Sequence, residues 1–96
     1  MGPTGSLMTI ATAGGWYYST DTSEITETHS GLVVTGDCEI SEWTATDGAK
    51  SVDLVAKFNI SGVTLTTDFP PLIIPSGLTS SSITFTTNGG VCLLRA

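Results

Sequence analysis

His29 is the only histidine in the chain, and Asp21, Glu24 and Glu27 lie just before it. Imidazole and carboxylates together make a divalent-cation donor set. The alternating oxygen ligands of a calcium loop, closed by a glutamate, are nevertheless missing. Acid-rich loops of this kind ordinarily face water, so the expectation is that no metal binds. Ser30 follows His29, but a hydrolase triad also needs a nucleophile elbow and an oxyanion loop, and the sequence offers neither. Glu39 with Glu42, or Asp37 with Glu39, resembles a glycosidase acid pair only superficially; Asp37 and Glu39, two apart on one strand, simply share its solvent face. Cys38 and Cys92 have no CxxC or Cys/His metal spacing and read as buried apolar thiols. A disulfide between them would need their Cα atoms within about 7 Å. Gly14-Gly15 and Gly89-Gly90 lack the lysine and helix start of a phosphate loop and read as turns. These residues together predict no enzyme and no cofactor.

The elements that would position them are strands. Residues 1–6 are Gly/Pro/Thr-rich and aperiodic, which predicts a flexible arm, with one all-β domain over residues 7–96. Leu7–Ala13 reads as a strand, and Trp16-Tyr17-Tyr18 as a second extended segment after Gly14-Gly15. Asp21-Thr22-Ser23-Glu24 matches a capping box, but the β-branched Ile25-Thr26-Glu27-Thr28 favours a strand that turns at Ser30-Gly31 into Leu32-Val33-Val34 as a hairpin. Val34, Cys38 and Ile40 share one face of the next strand; Trp43 breaks the parity, which a bulge near Glu42 would restore, or else Trp43 sits on the outer face at an interface. Asp47-Gly48 is an antiparallel turn signal. Val52, Leu54, Ala56, Phe58 and Ile60 then alternate as the clearest strand of the chain, with a helix as the lesser alternative. Pro70-Pro71 confines pairing to an edge or ends it. Ile83–Thr86, Asn88-Gly89-Gly90 and Val91–Leu94 give the strongest hairpin signal. Many short strands spaced by turns predict a compact antiparallel sandwich or small barrel.

Composition narrows the partners. A chain of 96 residues forms a small core, and with two cysteines and one histidine, self-association is the expected source of added stability. The formal charge of −6, with only Lys50, Lys57 and Arg95 basic, predicts no nucleic-acid binding and no docking on anionic membranes. No apolar run approaches the roughly 20 residues of a spanning helix, and no signal-peptide pattern is visible, so synthesis in a cytoplasm is expected. Trp16, Tyr17, Tyr18 and Trp43 are residue types that anchor interfaces or stack on sugars. The stiff apolar segment Phe69-Pro70-Pro71-Leu72-Ile73-Ile74-Pro75 is a second candidate contact, with Phe69, Leu72 and Ile73 as its anchors, and a crossover through the core is its equal alternative.

The Thr/Ser-rich all-β layout, Ser61-Gly62-Val63-Thr64-Leu65 followed by Ile74-Pro75-Ser76-Gly77, and the closing Ile83–Thr86 and Gly90–Arg95 segments together resemble small virion proteins of tailed bacteriophages. The likeness covers the C-terminal half, and capsid decoration or cement proteins match best in size. It carries no signature residue, so no site transfers from it. The resemblance implies a homotrimer on the outer capsid surface, made in the host cytoplasm, whose partners are the major capsid protein and itself. In that setting the arm residues Thr4, Leu7, Met8 and Ile10 would add a strand to the shell. The competing expectation is a tail or spike module that stacks host glycan on the aromatic rings.

Overall fold

The computed structural model describes residues 15–95. Seven strands form: β1 (Trp16–Ser19), β2 (His29–Val34), β3 (Cys38–Asp47), β4 (Lys50–Asp53), β5 (Leu72–Ile73), β6 (Thr79–Asn88) and β7 (Val91–Arg95), with one short helix, α1 (Leu54–Lys57). The all-β expectation is borne out. Pairing is antiparallel throughout one sheet of order β1-β7-β2-β6-β3-β4, with β5 added to β2.

Two corners fold this sheet over its own core. β2 passes into β3 through Thr35-Gly36-Asp37, and β6 passes into β7 through Gly89-Gly90, while β2 pairs with β7 and β3 with β6. The corners are bonded to each other: the Gly89 amide donates to the Asp37 carbonyl at 2.8 Å, and the Thr35 and Gly36 amides donate to the Gly90 carbonyl at 3.0 and 3.1 Å. They approach so closely that a Cβ on Gly36 would lie 2.4 Å from the Gly89 carbonyl oxygen. Glycine is required there by contact with backbone, which cannot move aside as a flexible side chain can. The bend brings Leu32, Val34, Val91 and Leu93 into one core with Ile40, Trp43, Ile83 and Phe85.

The corner also corrects the strongest hairpin expectation. β6 and β7 flank Gly89-Gly90 as anticipated but do not pair with one another, because the chain changes partners at the bend. Local turn chemistry is the same for a hairpin and for such a corner; only the Gly36-Asp37 backbone packed alongside distinguishes them.

Of the two places the parity break allows Trp43, the structure takes the bulge and the core. Along β3 and β6, Ile40 pairs with Phe85 and Glu42 with Thr84, leaving Ser41 as the extra residue of a bulge. That single insertion turns Trp43 inward, where it is 1% exposed and stacks on Phe58 at 5.4 Å between ring centroids. Asp47-Gly48-Ala49-Lys50 forms the expected turn between β3 and β4.

Other segments depart from their sequence reading. The Val52–Ile60 alternation is not one strand: β4 ends at Asp53, whose carboxylate accepts from the Val55 amide at 3.0 Å and the Ala56 amide at 3.3 Å and so caps α1. Asn59, at φ 57°, closes the helix, with its amide donating to Ala56 and that of Ile60 to Val55, a Schellman arrangement. No helix forms over Asp21–Glu24, and Ile25–Thr28 contributes only the bridge of Ile25 to Ile83 instead of a hairpin with β2. Gly31 lies within β2, not in a turn; the register shift falls between His29 and Gly31. The proline-flanked Leu72-Ile73 makes a two-residue strand on β2, consistent with pairing cut short on both sides. The expected strand over Leu7–Ala13 lies outside the described residues.

Candidate interaction face

Strand β1 occupies one edge of the described sheet, with β7 as its only partner there. Alternation divides its side chains. Tyr17 and Ser19 point towards the core, with Tyr17 packed against it, while Trp16 and Tyr18 stand on the outer face, 39% and 60% exposed. Register continues this outer face across the sheet: Trp16 opposes Leu94, Leu94 opposes Gly31 and Gly31 opposes Ile73. In the next row, Tyr18 opposes Cys92 and Cys92 opposes Val33.

Gly31 makes the first row continuous. A Cβ at that position would meet the Leu94 Cδ1 at 2.9 Å and the Ile73 Cδ1 at 3.0 Å, so the missing side chain leaves the space that these two methyls occupy. Leu94 is fully buried although it stands outside the central core cluster, and Ile73 beside it is 44% exposed. The result is an apolar strip on the face of the sheet opposite the core, exposed at Trp16 and Ile73 and buried at Leu94 and Gly31 between them.

The two ends of the sheet differ in how they meet solvent. At the far end, β4 carries Lys50 and Asp53 and gives way to α1, where Lys57 is also exposed. Charged side chains of this kind discourage pairing with another chain. β1 reads Trp-Tyr-Tyr-Ser, with neither charge nor proline. Its nearest cation, Arg95, is engaged: the guanidinium lies 2.9 Å from the Glu27 carboxylate and 5.8 Å from the centre of the Tyr17 ring.

The anticipated contact residues therefore separate. Trp16 and Ile73 share the outer face, with Leu94 and Gly31 between them, while Tyr17 and Phe69 are half-buried against the core. Trp43 and Leu72 are corrected: both belong to the core, Trp43 through the bulge and Leu72 because its register partner Leu32 faces inward. Thr4, Leu7, Met8 and Ile10 lie outside the described residues. Gly31 and Leu94 were not anticipated; a glycine at the centre of a strand, opposite an apolar residue, is the signal that marks them.

The remaining chemistry-bearing groups are dispersed. Both cysteines are free thiols. Burial, with the Asp37 carboxylate adding to it, pushes the Cys38 thiol up to about 11, and burial also raises Cys92. Raised thiols are poor nucleophiles. Among the described residues, no three His, Cys, Asp or Glu side chains gather closely enough to hold a metal ion. A cleft of about 500 Å³ between β3, β4 and α1 is lined by Ser41, Glu42, Thr44, Ser51, Asp53 and Ser61, with the Asp53 carboxylate already committed to its cap.

No protein-family model matches the chain, and neither does any curated protein or solved structure.

Proposed function

We propose that the chain is a non-enzymatic structural protein that joins a larger assembly through the β1 edge and the apolar strip beside it, and that the assembly is a virus particle. Its role there is to decorate or cement the head of a tailed phage, as a homotrimer bridging neighbouring major capsid subunits on the outer surface. The observation that carries the interaction reading is the uncharged, aromatic β1 edge, with Trp16 and Tyr18 exposed on its outer face. A strand edge offers unsatisfied backbone donors and acceptors to an incoming strand, and rigid aromatic rings anchor it with little loss of side-chain entropy. The virion setting rests on the resemblance of the C-terminal half to phage decoration proteins, and the net charge of −6 suits a surface that keeps particles apart.

Light scattering of the purified protein, with co-sedimentation against tailed-phage capsids, tests this reading. The expected result is a trimer that pellets with particles, and a Trp16→Lys/Tyr18→Lys variant that keeps its fold but no longer pellets. A monomer that ignores capsids would overturn it. The same two rings are presented side by side in the manner of a sugar-stacking platform, so binding on a glycan array, lost in that variant, would move the function to a tail or spike module.

A further inference from the structure

His29 is fully buried at the start of β2, between its register partners Ser80 on β6 and Arg95 on β7. Both ring nitrogens are bonded. Trp43 Nε1, which can only donate, lies 2.9 Å from His29 Nε2, and His29 Nδ1 lies 2.7 Å from the Glu27 carbonyl oxygen. The pair of bonds assigns one state: Nε2 is the bare acceptor, Nδ1 carries the proton and donates it to Glu27, and the ring is neutral. The Trp43 bond spans the core from β2 to β3, and Trp43 is held on its other side by Phe58.

We propose that His29 is an acid-sensitive latch between β2 and β3, closed while its ring is neutral and released when Nε2 takes a proton. Protonation converts Nε2 into a donor facing the indole N–H, so the bond across the core is lost and two donors are forced together. Few charges surround the ring to offset this. Glu27, on the segment leading into β2, favours the cation, but its carboxylate is engaged by Arg95 of β7; Ser80 and Trp43 bring no charge. Burial outweighs the Glu27 contribution and holds His29 below the usual imidazole value of 6.5.

The direction of the pH effect follows. The unfolded chain takes up the proton at about pH 6.5 while the folded chain resists it, so the His29 contribution is fully present above that pH and declines as acidity passes from there towards the folded value. Release begins at the Arg95 end of the sheet, where the Arg95 amide holds the Gly15 carbonyl at 3.1 Å and seats β1. The latch is a property of the fold and does not depend on what the β1 edge binds.

Because His29 is the only histidine, its ring resonances are unambiguous in the full-length wild-type protein. An NMR titration is expected to show Nδ1 protonated, and a ring that stays neutral below pH 6.5 until the Trp43 indole proton signal is lost with it. Denaturant unfolding is expected to show the unfolding constant rising as the pH falls below 6.5, by at most about fivefold between 6.5 and 5.5 for a single proton excluded from the folded state. In His29→Gln that dependence should vanish. A ring that titrates near 6.5 with the indole signal unmoved would overturn the proposal, as would an unchanged pH profile in His29→Gln. Should the variant fail to fold, the wild-type titration alone decides.

Discussion

At the scale of single residues, Trp43 shows how one side chain serves two purposes. Its ring fills the core between His29 and Phe58, and its N–H satisfies the buried imidazole; no buried side-chain nitrogen or oxygen among the described residues lacks a partner. Trp43→Phe removes the donor while keeping an aromatic ring. The expected loss is about 1–3 kcal/mol for the acceptor left unpaired, measured by denaturant unfolding at pH 7.5, with some further loss from the smaller ring. Sequence reasoning placed Trp43 correctly on a bulged strand, yet it also offered the ring as a surface anchor, since residue type alone does not say which side of a sheet a tryptophan occupies. Trp16 has the same composition and the opposite fate, because β1 has no bulge and its alternation leaves Trp16 outside.

At the scale of elements, the two glycine corners determine the topology. Gly36→Ala would drive a Cβ into the Gly89 carbonyl, so an equilibrium stability loss on the order of 3 kcal/mol is expected. Gly48→Asn provides the contrast: its φ of 61° suits asparagine and open space surrounds it, so the change should stay within about 0.5 kcal/mol. Thermal melts of both variants beside wild type measure the difference. Strand identity was largely legible because β-branched residues alternate through β3 and β6. Pairing was less so. The Asn88-Gly89-Gly90 signal is the same for a hairpin and a corner, and α1 was hidden because Leu54 and Ala56 also fit a period of two. Asp53 as a cap and Asn59 as a left-handed stop were the local evidence against one long strand, but they count only once Leu54 and Val55 are seen to share burial.

At the scale of the molecule, the two lysines and the exposed aromatic rings occupy different parts of the sheet. Lys50 and Lys57 stand at the β4–α1 end, while the exposed rings stand at β1, the other end of the strand order. The proposed association should therefore depend weakly on salt, since the strip supplies area and not ion pairs. Light scattering from 50 to 500 mM salt checks this: a constant mass is expected, whereas dissociation with rising salt would place the contact among the charged residues. The candidate face was only partly legible in sequence, because it is assembled from four strands whose register no local pattern records. Gly31 is its clearest trace.

The pairing of β1 with β7 bears on the order in which the molecule assembles. Trp16 finds Leu94 only across nearly the whole described chain, and β7 is itself seated on β2. Closing so long a loop is entropically costly until β7 is in place, so β1 is the last strand to be laid down and the first to leave. During refolding, the Trp43 environment should mature before that of Trp16, which stopped-flow fluorescence of single-tryptophan variants would resolve. Until β1 docks, β7 presents an open edge to other copies of the chain. A folding intermediate of this protein is thus a natural candidate for strand exchange, and crowded refolding at high concentration should yield swapped oligomers that dilute refolding does not.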